Sequence, residues 1–407
     1  MLSFTNGQTN IWQTLILPLV HNSSSLYHAI SAMTALHISN GRFNLELYAR
    51  GLELMQRSLY DLRIEVCGQA FKTTTLATTL ILAVWTRWNE ELGNGNSHLR
   101  GAFSMFTDVW SHFNKHGVGS ISTTEAESLA FLMSTCFSID ALTSLVDSVK
   151  AKDDYQSPST FDSSIDSDFN LSWFLCSQTI VNLDPWTHYS WGIGRFMKPV
   201  ASISYEVKMA TGVSSSMITK AAVLKRQIYE WSNDAILDLL GFEEGLLPMD
   251  AQYMVHTAEG YRYGTLLFLH QAVPEAFDNN IQQLAIDTIT HLASCPALST
   301  MTFAQIYPLF IAGCEVTGVE EREWVKERWA AMIARMRITN VSRCWEITQE
   351  MWRRRDAHCQ WKSDNVIIMQ SMDQVVGPAR DMDPEFSIKG RLHWAQVLKD
   401  WNWEVSF

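Results

Sequence analysis

The chain has 407 residues, 47% of them apolar and 18% charged, with 16 tryptophans and 17 methionines; this fills one large core or two closely packed halves and excludes a disordered tail. Lys and Arg total 31 against 43 Asp and Glu, and the net charge of −12 repels a phosphate backbone, arguing against direct nucleic-acid binding. Seven isolated cysteines, an odd number without dense spacing, argue for a reducing compartment over a secreted disulfide scaffold.

The N-terminal "MLSFTNGQTNIWQTLILPLVHNSS" lacks basic residues before its apolar run, and Pro18 interrupts that run. It does not read as a secretory signal, so a nuclear or cytoplasmic, non-secreted protein is expected. A helix over Leu26 to Ile38 opens on a serine run that can cap it. In "FNLELYARGLELMQRSLYDLRIEV" the apolar residues Leu45, Tyr48, Leu52, Met55, Leu59, Leu62 and Val66 alternate three and four apart, one stripe of a long amphipathic helix. Further helices are expected over Phe71 to Trp88, His98 to Phe113 and Thr124 to Val146. The run "LATTLILAVW" at 76–85 is too short to span a bilayer and reads as a buried helix, so no membrane association is expected.

Residues 151–170, "AKDDYQSPSTFDSSIDSDFN", are rich in Ser and Asp and have no apolar period; they read as an exposed linker. Helical patterns resume near 192–210, 217–240, 250–272, 280–293, 302–315, 320–337 and 341–355. No alternating apolar runs joined by Asn-Gly or Asp-Gly turns occur. The expected fold is all-α, an irregular bundle of roughly a dozen or more helices in which helix hairpins can stack. One domain is expected over 1–407, with candidate halves 1–150 and 171–407 joined by the 151–170 loop.

Chemistry-bearing motifs are scarce. Neither Cys-x-x-Cys nor His-Glu-x-x-His occurs, and the twelve histidines are scattered, so no metal and no cofactor is expected. "WGIGRF" at 191–196 has two glycines of a phosphate loop but no preceding strand, and reads as a turn into a helix. The magnesium-binding sets of terpene cyclases are matched incompletely by "DDYQS" at 153–157 and by "NDAILDLLGFEE" at 233–244, where Leu237 and Gly241 replace ligands. No Gly-x-Ser-x-Gly elbow is present. Arg353, Arg354 and Arg355 form the one basic cluster and read as cations at a helix end. Trp85, His98 and Arg100, an aromatic and two polar groups near adjacent helix ends, are the ligand-pocket candidates, against the plainer reading of core and capping roles. No catalytic residue is assigned.

Cys314 and Glu315 lie between an apolar and a charged helix in "IYPLFIAGCEVTGVEEREWVKERW". Thr317 and Glu320 fit a capping box, while Val325, Trp329, Met332 and Met336 make a buried stripe. A buried thiol and a carboxylate at the corner between two helices explain the pair without catalysis.

The passage "YPLFIAGCEVTGVEEREWVKERWAAMIARMRITNVSRCWEITQEMWRRRD" resembles the C-terminal signature of the fungal-specific transcription factor regulatory domain. "LILPLVHNSSSLYHAISAMTALHIS" at 15–39, "YARGLELMQRSL" at 48–59, "HLRGAFSMF" at 98–106, "GTLLFLHQ" at 264–271 and "HWAQVLKDWNWEV" near the end are similar to further segments in family order. In that family the domain lies downstream of a zinc cluster of six closely spaced cysteines with a basic stretch, which these residues do not contain. The resemblance implies a transcription-regulator-like domain lacking its own DNA-binding module. It would act through a protein partner, a homo-oligomer or a small apolar effector, in a setting such as fungal secondary metabolism. The alternative from another class is a small-molecule enzyme of cyclase or isomerase type on the same scaffold; the absent motifs favour the regulator.

Overall fold

A computed structural model describes residues 11–39, 43–68, 72–88, 95–116, 122–150, 192–232, 249–278, 280–370 and 383–406. The 151–170 linker and "NDAILDLLGFEE" lie outside the described residues. Among those described, every regular element is helical and no strand occurs, so the expected all-α class holds. The chain divides into two compact units. Of the described residues, one contains those up to Asp140 with Met336–Thr339, and the other those from Ala141 to 150, Gly192 to Arg335 and Asn340 onward.

The first unit opens with a single π-helical turn, Trp12–Ile16, and a 3-10 helix, Leu17–Asn22. α1 (Ser24–Ile38) is capped by Ser23, whose hydroxyl accepts from the Leu26 N–H at 3.2 Å. α2 (Leu45–Cys67), capped by Asn44, returns against α1 as a hairpin. The two backbones approach so closely at Gly51 that a Cβ there would lie 2.6 Å from Leu36 Cγ and 3.1 Å from the Leu36 nitrogen. That contact rotates α2 from its expected orientation. Gly51, Leu54, Met55, Ser58 and Leu62 are buried, whereas Leu45, Leu59 and Val66 of the expected stripe remain exposed. Small residues let α1 come in close, and the bulkier leucines beside them are displaced outward.

α3 (Thr73–Trp88) is buried from Thr73 to Trp85 without interruption. Its threonines satisfy themselves: Thr78 and Thr79 donate to the carbonyls four residues back at 2.8 Å. The Glu65 carboxylate, from α2, accepts hydroxyls from Ser25 (2.8 Å), Thr75 (3.1 Å) and Ser23 (3.3 Å), tying the starts of α1 and α3 to the end of α2. α4 (Asn96–His116) packs on α3. α5 (Thr123–Ser148) is long and apolar enough to cross a membrane by length and composition, but 89% of its most apolar window is buried inside the protein, as in a core helix.

In the second unit, Gly192 and Ile193 turn into α6 (Gly194–Met209), as the "WGIGRF" reading expected. α7 (Ser215–Glu230) follows, capped by Ser214. α8 (Met249–Ala272) packs against α6, α7, α9 (Ile281–Ala293) and α10 (Ile306–Glu315), all ten residues of α10 being buried. α11 (Val319–Met336) buries the expected Val325, Trp329, Met332 and Met336. Its start differs from expectation. The helix begins two residues beyond Thr317, whose hydroxyl donates instead to Gln282 Oε1 at 2.9 Å, so no Thr317 capping box forms.

α12 (Thr339–Gln370) runs well past the expected end at 355. Charge pairs one turn apart carry it on: Glu350 accepts Arg353 at 2.7 Å and Arg354 at 2.8 Å, and Gln360 donates to Asp364 at 2.9 Å. The arginine cluster therefore lies mid-helix rather than at a carbonyl end. A 3-10 turn, Pro384–Phe386, and α13 (Trp394–Trp401) close the chain.

Candidate functional site

α10 ends on an acidic residue with no access to water. Glu315 has no exposed surface, and Arg355 is 2% exposed. Arg355 grips the carboxylate with both terminal nitrogens, Nη1 to Oε2 at 2.6 Å and Nη2 to Oε1 at 2.7 Å. Its remaining donors reach the carbonyls of Cys314 (2.7 Å) and Leu392 (2.9 and 3.0 Å). The planar fork thus satisfies a carboxylate and two backbone oxygens at once, which a lysine cannot do.

Two further side chains extend the network from α8 and the entry of α13. Gln271 Nε2 donates to Glu315 Oε1 at 2.7 Å, and its Oε1 lies 3.2 Å from His393 Nε2. His393 Nδ1 accepts the Ala395 N–H at 3.2 Å as the cap of α13. That bond assigns the imidazole proton to Nε2, which donates to Gln271. Burial, the largest influence, holds the His393 pKa down at about 3, so the ring stays neutral.

Beside this network lies a cavity of about 240 Å³. Val207 and Val213 line it from α6 and the turn after it, Ala272, Pro274 and Ile281 from the α8–α9 connection, and Pro384 and Phe386 from the 3-10 turn. Gln271 and Glu315 reach it from the network, and Thr211, His270, Glu275, Asp383, Ser387 and Lys389 add polar lining. Phe386 also stacks beneath the Arg355 guanidinium at 5.3 Å. The 383–389 wall is fastened on several sides. Asp383 meets Lys362 at 2.5 Å and His358 at 3.3 Å, Lys389 Nζ donates to the Ala210 carbonyl at 2.6 Å, and the Ile388 N–H donates to Gln271 O at 3.1 Å. These partners draw the Asp383 pKa down despite the opposing effect of burial, which is the largest single influence.

Cys314 has no exposed surface, and burial pushes its thiol up to about 12. It stays a neutral thiol 3.8 Å from the Thr348 hydroxyl, not a thiolate nucleophile. Trp85, His98 and Arg100 lie on α3 and α4 in the first unit and do not line this cavity. Trp85 is buried with no hydrogen-bond partner for its indole nitrogen, His98 is half-buried with its pKa lowered by burial, and Arg100 is exposed. Among the described residues no group of three or more His, Cys, Asp or Glu is placed to hold a metal ion.

Arg355 was read only as part of a basic cluster at a helix end, and Gln271 and His393 were not singled out in the sequence. The available signal was Glu315 itself, an acid ending a wholly apolar run, which on burial requires a cationic partner.

The whole of the chain, residues 1–407, matches the model of the fungal specific transcription factor domain. The chain belongs to that family. A stretch of 139 residues is 27% identical to the acriflavine sensitivity control protein acr-2 of Neurospora crassa, covering 32% of this chain and 23% of that protein. The match therefore spans about a quarter of the relative's length. No solved structure matches the chain. This fungal transcription factor domain is transcription-regulator-like, as its C-terminal signature implied, and that signature is the segment that builds the Arg355–Glu315 pair.

Proposed function

We propose that this domain is the effector-responsive part of a fungal transcription regulator, with a small apolar molecule held in the cavity of the second unit. The observation that carries this reading is the division of labour in that cavity. Val207, Val213, Ala272, Ile281 and Phe386 give it apolar walls, and of its charged and amide groups Glu315, Gln271, Asp383 and Lys389 already have partners. A ligand there is selected by shape and apolar area, with His270 and Glu275 as polar groups at its wall. The 383–389 wall carries Phe386 and connects through Leu392 and Arg355 to the α10 corner, so filling the cavity stabilises the segment leading into α13. The family supports a nuclear site of action, and the net charge of −12 supports action through protein partners over direct phosphate contact. The name of the Neurospora crassa relative, concerning control of acriflavine sensitivity, supports a role in responding to small organic compounds, as in secondary metabolism.

Catalysis has less support at this site. Glu315 is fully engaged by Arg355 and Gln271, and His393 stays neutral, so neither is free to exchange protons with a substrate.

Val213, half-exposed in the cavity wall, provides the test. Benzyl alcohol and indole, small aromatics of suitable size, should raise the melting temperature of the purified chain. Val213→Trp should fill the space, raise the melting temperature by itself and abolish the ligand-induced shift. Equal shifts for both proteins would refute cavity binding.

A further inference from the structure

α8 and α9 pack together as a helix hairpin, and two histidines meet across it, one from each helix. Gly260 faces Leu292 at the contact: a Cβ there would lie 2.6 Å from Leu292 Cδ2 and 3.4 Å from its Cγ. His256 stands one turn before Gly260 and His291 one residue before Leu292, so the approach that seats Leu292 also brings the two imidazoles together. Their Nδ1 atoms are 3.3 Å apart, and both rings are half-buried, within reach of water. Tyr263 stacks on His291 at 5.4 Å and 17° and lies beneath the Arg262 guanidinium at 4.9 Å, which fixes the plane of the His291 ring.

The separation decides what the pair can hold. At 3.3 Å the two nitrogens lie beyond the usual range of about 2.7–3.2 Å for a hydrogen bond from an N–H donor. A tetrahedral Zn²⁺ at ~2.0–2.1 Å from two imidazole nitrogens places them about 3.3–3.4 Å apart, whereas adjacent corners of a square-planar Cu²⁺ site come to about 2.8 Å. The observed spacing is the bite of a tetrahedral cation on which the facing Nδ1 lone pairs converge. The surroundings suit a positive ion. α9 ends at Ala293, so its carbonyl end lies beside His291, and Asp287 one turn earlier adds negative charge. The charge of Arg262 is compensated by Glu259 at 2.5 Å, and Arg262 also donates to the Tyr229 carbonyl at 3.3 Å. We infer that His256 and His291 chelate a zinc ion through their Nδ1 atoms, with water completing the tetrahedron, and that the ion clasps α8 to α9. Two protein ligands are fewer than a structural zinc site uses, which suits reversible binding. The inference is independent of the effector reading, because neither histidine lines the cavity.

The full chain, purified without a histidine tag and stripped with a chelator, should take up Zn²⁺ from a chromophoric chelator and gain melting temperature as ZnCl₂ is added. His256→Gln and His291→Gln should each bind one equivalent less and lose most of that gain, with metal-free circular dichroism unchanged. Co²⁺ in place of zinc should give the intense visible absorption of tetrahedral cobalt in the wild type and not in the glutamine variants. His256→Cys puts a thiolate at the same ligand position. It should keep the tetrahedral spectrum and add a near-ultraviolet thiolate-to-cobalt band beyond any in the wild type, which reads the site directly even where a glutamine variant does not fold. A wild-type chain that binds no zinc, zinc binding and stabilisation equal in the wild type and the glutamine variants, or no added thiolate band in His256→Cys would each overturn the inference. Val213→Trp should leave the zinc response unchanged, so failure of the cavity reading stays distinguishable.

Discussion

At the residue scale, the decisive feature is a buried ion pair whose members lie 40 positions apart. Taking both charges out of water is costly, and the pair roughly offsets that cost only while it stays complete. Arg355→Met leaves Glu315 with Gln271 alone and should destabilise the fold by about 3–5 kcal/mol, read from the urea midpoint. Arg355→Met combined with Glu315→Leu should recover most of the loss; a double variant as unstable as the single one would show that the pair is not the cause. His393 gives a pH signature of definite sign. Its folded pKa of about 3 lies below the ordinary value of 6.5, so the unfolded chain takes up the proton first. Its contribution is intact above about pH 6.5 and is lost as the pH falls toward 3, at about 1.4 kcal/mol per pH unit. His393→Gln keeps a donor for Gln271 and an acceptor for the Ala395 N–H, and should make stability between pH 6 and 4 less steep by about one proton. An unchanged slope would place the acid sensitivity elsewhere.

At the element scale, most helices were legible because apolar periodicity and caps such as Ser23, Asn44 and Ser214 are local signals. The errors have common physical causes. The stripe of α2 was read as the widest apolar face, but burial follows the closest approach of α1, set by Gly51 and Ser58. Gly51→Ala should therefore cost about 1–3 kcal/mol through collision with Leu36, exceeding the ~1 kcal/mol that alanine gains in helix propensity. A thermal melt showing net stabilisation would mean that α1 yields easily. The stop assigned to α12 failed because three arginines suggest a helix end. Glu350, Arg353 and Arg354 instead pair along the helix surface, while Arg355 turns inward. The start assigned to α11 failed because Gln282, distant in sequence, takes the Thr317 hydroxyl.

At the scale of the whole molecule, the sequence by itself determined the all-α class, the acidic surface and the family, since composition, helical period and the C-terminal signature are all written along the chain. It also marked Cys314 as structural, and the thiol is buried and held neutral. Tertiary structure alone decided where the cavity lies and which groups face it. Gln271, Glu315, Arg355 and His393 come from four segments. No local pattern announces that meeting, because a buried charge recruits its partner through space and the partners' spacing along the chain is unconstrained.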